Sequence, residues 1–192
     1  MLHRIGPKTF FEVLRKSIYE QKIVYHYRMK LDEINTLVSN VKIENKIYCT
    51  FDSLNKKIKE KIKERFGSEK LKIFKERLNG TSDIVVTFIN NEFASYCFFA
   101  YTGETFQFFT LPDKEIYFYD CFTFPQYRGL SSIYFEVKFV MQFLERAGFK
   151  YANVEIESGN IPSIRAFAKV GFRKTKEYRL KRFLFFERRS EK

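Results

Sequence analysis

EIYFYDCFTFPQYRGLSS, residues 115–132, is the stretch from which the rest of the chain is read. Residues 115–124 are nearly apolar throughout and rich in aromatics, as in a central strand buried on both faces. Pro125 has no backbone N–H and stops the ladder. A helix is predicted over residues 129–147, with Ile133, Val137, Val140, Met141 and Leu144 on one face and Gly148 at its end. A helix start leaves backbone N–H groups without internal partners. The helix dipole adds about 0.3–1 kcal/mol of stabilisation for an anion placed there. Gly129 allows close backbone approach, Arg128 adds a guanidinium, and Ser131 and Ser132 are small and able to donate or cap. The junction is therefore suited to a diphosphate. It matches neither GxxxxGK[ST] nor GxGxxG.

Outward from this junction the period alternates. A helix is expected over residues 8–20 and a strand over 22–29 (KIVYHYRM). Residues 41–51 read as a strand or a hairpin turning at Glu44-Asn45, with Asp52 and Ser53 as helix caps. Leu54, Ile58, Ile62 and Phe66 recur every four residues, so a helix runs to Gly67, and a second occupies 68–78 before Asn79-Gly80. Residues 83–89 and 93–101 form a hairpin around Asn90-Asn91. The weakly charged run 93–111 has a turn at 102–105 and reads as two strands, not a spanning helix. Downstream come a strand at 151–156, a helix at 162–169, and strands at 172–180 and 183–188. Strands alternating with helices predict an α/β chain with one mixed sheet.

Two segments carry a family resemblance. Gln126-Tyr127-Arg128-Gly129-Leu130-Ser131 resembles the Q/R-x-x-G-x-G/A signature of the GNAT superfamily of CoA-dependent N-acetyltransferases, departing only at Ser131. From Asn160, 31 residues beyond Gly129, NIPSIRAFAKVGF is similar to that superfamily's N-x-x-[AS]-x-x-x-Y-x-K-x-G-F. The resemblance implies a GNAT-like mixed, mostly antiparallel sheet flanked by helices. It implies one domain over 1–192, with an N-terminal helix and strand extension at 1–40 and a cofactor-binding core at 81–188. The implied cosubstrate is acetyl-CoA. Its diphosphate would bind the amides of Gln126, Tyr127, Arg128, Gly129, Leu130 and Ser131, beside Ser132. Its pantetheine arm would enter where the central strand splays from the next, pairing with Cys121, Phe122 and Thr123. Asn160 and Ser163 would line the same cofactor. Phe167 stands where many members carry a Tyr that protonates the leaving thiolate, so that proton would come from water or a tyrosine such as Tyr178.

The implied reaction is direct attack of a primary amine on the thioester, with no covalent enzyme intermediate. A Lys-type amine of pKa about 10.4 is roughly 0.1% neutral near pH 7.4, so a base matters. Glu155, five residues before Asn160, matches the base of ribosomal-protein N-terminal acetyltransferases, and Glu115, thirteen before Arg128, that of histone-type members. Asp120 is a third candidate, mid-strand among aromatics. Glu115 and Asp120 have opposite strand parity, so they share a face only if the strand is bulged. Longer-chain acyl transfer, suggested by the aromatic load, and a non-catalytic CoA or nucleic-acid binding module are the alternatives.

Composition narrows the partners. Lys and Arg number 35 against 23 Asp and Glu, a net charge of +12 that suits anionic partners, including an anionic acceptor, and disfavours polyamines. Aromatics make up 19%, and Phe106, Phe108, Phe109, Tyr117, Tyr119 and Phe122 are candidates for core or acceptor pocket. No RNP-type run supports RNA binding. Cys49, Cys97 and Cys121 form no CxxC pair, and His3 and His26 no HxH, which argues against a metal site or a disulfide framework and for the cytoplasm. No membrane span is expected, and the protein is expected to be a monomer or homodimer.

Overall fold

A computed structural model describes residues 19–101, 105–106, 109–183 and 186–191. The strands are β1 (Tyr19–Lys30), β2 (Ile43–Tyr48), β3 (Ser82–Ile89), β4 (Glu92–Tyr101), β5 (Thr105–Phe106), β6 (Phe109–Thr110), β7 (Glu115–Thr123), β8 (Tyr151–Glu157), β9 (Arg173–Phe183) and β10 (Phe186–Glu191). The helices are α1 (Lys56–Phe66), α2 (Ser68–Leu78), α3 (Ser132–Glu145) and α4 (Ile161–Val170). Eight strands form one sheet in the order β10-β9-β1-β8-β7-β4-β3-β2. Among the described strands only β7 and β8 run parallel. This is the mixed, mostly antiparallel α/β architecture expected.

Side-chain parity divides the core into two layers. Val85, Cys97, Phe99, Ile116, Phe118, Ala152 and Val154 face α3 and α4, meeting Val137, Val140, Met141 and Val170. Their neighbours Ile84, Val86, Tyr96 and Phe98 face α1 and α2, meeting Ile58, Ile62, Phe74 and Leu78. A strand buried on both faces cannot alternate apolar with polar, hence the continuous hydrophobic runs of β3 and β4. The helices α1 and α2 pack on the β3–β4 side of their face. Glu115, Asn153, Glu155, His26 and Arg28 of β7, β8 and β1 point to that same face, on a part of the sheet where none of the described helices packs, and line one cavity.

Several expectations are corrected. Residues 43–48 form one strand without a turn at Glu44-Asn45, because the Asn45 amide is spent on tertiary contacts, donating to the Phe135 carbonyl at 3.3 Å and accepting from Thr87 at 2.7 Å. Asp52 and Ser53 lie in the turn before α1, where Ser53 bonds Thr50. Asn55 is the cap, accepting from the Ile58 amide at 2.9 Å. β1 sits inside the sheet between β8 and β9, so residues 19–30 are no extension. The helix expected at 8–20 lies outside the described residues, apart from Tyr19 and Glu20, which open β1. The turn residues 102–104 and Phe108 also lie outside them. Cys97 and Cys121 are joined as a disulfide across β4 and β7, a pairing their separation of 24 residues did not suggest.

One buried carboxyl ties α3 to the sheet. Glu136 is 1% exposed, and its Oε1 lies 2.5 Å from Ser95 Oγ and 3.0 Å from Thr87 Oγ1. Burial pushes its pKa up from 4.5 to about 7, against the lowering effect of the Ser95 and Thr87 hydroxyls. Thr87 has one hydroxyl hydrogen, claimed also by Asn45 Oδ1. A protonated Glu136 donating to Thr87, which then donates to Asn45, satisfies the whole chain.

Candidate active site

The central feature is a parting of strands. β7 and β8 pair from Glu115↔Tyr151 to Phe118↔Val154 and no further. On its other side β7 remains paired with β4 to Ser95↔Thr123, but the register slips between Tyr96↔Phe122 and Phe98↔Tyr119. Three steps on β7 answer two on β4, which is a one-residue bulge. Asp120, at this bulge, has φ +46°. The bulge lies just beyond the point where the β7–β8 ladder stops, so past Phe118 the main chain of β7 is no longer paired with β8. The parity rule that separates Glu115 from Asp120 is thereby broken, yet the two remain apart. Asp120 turns toward α2, where Lys70 holds it at 2.7 Å and Arg77 also pairs with it. Asp120 does not join the other two carboxylates.

Beyond β7 the chain makes a single 3-10 turn, Pro125–Tyr127, and then the loop to α3. Gly129 has φ +83° and open space where a Cβ would stand. Ser131 has φ +60° and precedes α3 without a side-chain cap bond. Among the described residues the amides of residues 129–133 donate to no backbone acceptor. The Ser132 hydroxyl is buried and has no partner there either. Lys169 Nζ reaches Ser131 Oγ at 2.9 Å, and Arg128 is exposed, its Nε donating to the Thr123 carbonyl at 3.3 Å. Lys61 of α1 stands 5.6 Å from the Tyr127 ring centroid. Free amides, an orphaned hydroxyl and flanking cations are what a diphosphate requires.

The remaining cofactor candidates scatter more widely. Gln126 and Leu130 are exposed on the loop. Phe122 packs with Phe66, Tyr96 and Phe124, and Cys121 turns to Cys97. Asn160 caps α4, accepting from the Ser163 amide at 3.3 Å, and Asn160 is exposed. Phe167 is 4% exposed and meets Phe172 edge-on at 5.2 Å, so it is a core residue.

A cavity of about 850 Å³ opens over the β7, β8 and β1 part of the sheet, where none of the described helices packs. Glu115 and Glu155 both line it, together with His26, Arg28, Asn153, Tyr178 and Arg189. Glu155 follows Val154 directly, so it stands where the strands part. Arg189 of β10 grips both its oxygens, and His26 Nδ1 lies 3.5 Å away. Burial works to raise the Glu155 pKa, but the ion pair with Arg189 and the His26 ring beside it outweigh burial and hold the carboxyl below its usual range. Glu115 accepts from Arg28 at 2.5 Å and from Asn153 Nδ2 at 2.7 Å. Sequence reasoning missed His26, Arg28, Asn153 and Arg189, whose partners lie far away in the chain. Lys169 had a signal, being the Lys of the second family motif. Among the described residues no group of three or more His, Cys, Asp or Glu is placed to hold a metal ion. No described helix is long and apolar enough to cross a membrane.

No protein-family model and no curated protein matches the sequence. Solved structures do match the fold. A GCN5-related N-acetyltransferase from Sphaerobacter thermophilus is 11% identical with a TM-score of 0.58, over 98% of this chain and 57% of its own. The tandem GNAT protein from the clavulanic acid biosynthesis pathway is 11% identical at 0.56, over 93% of this chain and 58% of its own. AAC(6')-Iy, solved with a CoA-containing bisubstrate analogue, is 12% identical at 0.56, over 78% of this chain and 99% of its own. The chain thus spans under three fifths of the length of the first two. This chain has the GNAT fold.

Proposed function

We propose that the protein is an N-acetyltransferase that moves an acetyl group from acetyl-CoA to a primary amine. The observation that carries this reading is the position of Glu155 at the parting of β7 and β8. Glu155 lines the carboxylate-bearing cavity and directly follows Val154, the last residue of β8 paired with β7. The fold likeness and the two family motifs support the same conclusion. Acetyl-CoA supplies an activated thioester and a thiolate leaving group.

The chain's own residues do the rest. The amides of residues 129–133, with Lys169 and Arg128, hold the diphosphate. The open strand segment at 119–123 orients the arm. Glu155 and Glu115 attract the ammonium form of the acceptor into the cavity, and Glu155 removes its proton. Arg188 lines the cavity and pairs with no acid among the described residues, which suits an acceptor carrying an anionic group. Phe167 supplies no proton to the departing sulfur. A thiol of pKa about 8.5 leaves without an enzyme acid more readily than an alkoxide would. The acceptor is a small-molecule amine or a peptide terminus. The test is thiol release from acetyl-CoA across a panel of aminosugars, amino acids and peptides, with the product mass identified. Acetylation of a primary amine at saturable rate is expected; hydrolysis alone, or no turnover with any amine, contradicts the reading.

A further inference from the structure

We propose that His26 is the final acceptor of the proton that the acceptor amine loses, taking it through Glu155, and that Asn153 selects which ring nitrogen receives it. This rests on the acetyl-transfer reading above. The argument begins with Asn153, which is 3% exposed. Its Nδ2 donates twice, to Glu115 Oε2 at 2.7 Å and to the Ile116 carbonyl at 3.2 Å. Both hydrogens of the amide are therefore used and its orientation is set. Its Oδ1 then faces His26 Nε2 at 3.2 Å. An amide oxygen only accepts, so Nε2 must carry a hydrogen. In the neutral ring this leaves Nδ1 as a bare lone pair. Nδ1 is buried, makes no hydrogen bond among the described residues, and lies 3.5 Å from Glu155 Oε1.

A buried lone pair beside a carboxylate is unsatisfied while the ring is neutral and satisfied once it is protonated. Glu155 meets the amine but is a poor terminal base, because Arg189 stabilises its ionised form. The Nδ1 lone pair has no other partner among the described residues, so taking the proton gives it the hydrogen bond it lacks. The proton moves from the ammonium to Glu155 and on to Nδ1, leaving a neutral amine, a carboxylate still held by Arg189, and an imidazolium; the second N–H proton, lost once the amine has attacked the thioester, goes to the departing thiolate. N–H···O bonds run about 2.7–3.2 Å, so the ring closes on Glu155 by about 0.5 Å in this step. The charged groups facing His26 come from every neighbouring element. These are Glu155 on β8, Lys176 and Tyr178 on β9, Arg188, Arg189 and Glu191 on β10, and the Arg28–Glu115 pair across β1 and β7. Lys176 and Glu191 pair at 3.2 Å, Arg28 and Glu115 at 2.5 Å, and Arg189 pairs with Glu155, so Arg188 is the cation of the lining left without an acid among the described residues.

Two measurements test this. The chain has two histidines, so ¹⁵N imidazole spectra of a His3→Gln protein report His26 alone. The neutral form must be the Nε2–H tautomer; an Nδ1–H tautomer overturns the proposal. The second is the pH dependence of kcat/KM with acetyl-CoA and two acceptors, an alkylamine and a weakly basic amine already neutral at pH 7. The acid limb should follow the His26 titration seen in the spectra. His26→Gln should remove that limb, slow the alkylamine about a hundredfold at pH 7, and leave the weakly basic amine within a few-fold. An unchanged limb, or equal loss with both amines, makes His26 merely structural and ends the proposal. No turnover in the wild type with the Nε2–H tautomer present ends the acetyl-transfer reading instead, and with it the proton's destination.

Discussion

Glu136→Gln offers a quantitative check on how α3 is held to the sheet. The carboxyl titrates at about 7 in the folded protein against an ordinary 4.5, because it is buried among Ser95, Thr87 and Asn45. The folded state thus binds its proton more tightly than the unfolded state. Stability from this group is fully present below pH 4.5, declines as pH rises from 4.5 to about 7, and is flat above. At about 1.4 kcal/mol per pH unit the whole span amounts to about 3 kcal/mol. About 2 kcal/mol of it falls between pH 5 and pH 8. Gln keeps the shape and does not titrate. Urea unfolding of both proteins at pH 5 and pH 8 measures the difference. The wild type should lose about 2 kcal/mol more than the variant over that interval. Parallel pH dependence in the two proteins would show that Glu136 is not the buried neutral acid its surroundings require.

Three further outcomes are expected. Glu155→Gln should lower kcat/KM for an alkylamine by about 10²–10⁴, read from initial rates, and an unchanged rate would move the first proton transfer to Glu115. Phe167→Tyr should cost about 1–3 kcal/mol in urea unfolding and leave the alkaline limb of the rate profile in place, since the ring is buried against Phe172. A gain in activity would instead put this side chain at the thioester. Asp120→Asn removes the charge shared by Lys70 and Arg77 and should cost about 1–3 kcal/mol with kcat unchanged. Loss of kcat without loss of stability would make Asp120 catalytic.

Local signals carried much of the fold. The Asn90-Asn91 turn takes φ of +50° and +67°, as a tight hairpin demands. α2 runs from Ser68 to Leu78 because its apolar period and its closing Asn79-Gly80 are both local. The loop after β7 was legible for the same reason, since Pro125, Gly129 and the small serines act within one turn. What depended on distant partners was not legible. Asn45 looked like a turn residue because its bonds to Phe135 and Thr87 belong to other elements. β1 looked like an appendage because its neighbours, β8 and β9, lie over a hundred residues downstream. The bulge at Asp120 appears only when β4 is set beside β7, and it is what brings Cys121 to Cys97. The carboxylates Glu115 and Glu155 were found in the sequence, but the ring and amide between them were not. His26 meets Asn153 across 127 residues, and an isolated histidine gives no sign of such a partner.

The most direct test of the account is calorimetric titration of acetyl-CoA into the wild-type protein and a Gly129→Val variant. A β-branched residue at φ +83° is strained and fills the space left open for the diphosphate. The account predicts saturable one-to-one binding to the wild type. It predicts loss of that binding in the variant, which should remain folded by circular dichroism. Absence of binding to the wild type at millimolar acetyl-CoA, or equal binding by both proteins, would contradict it.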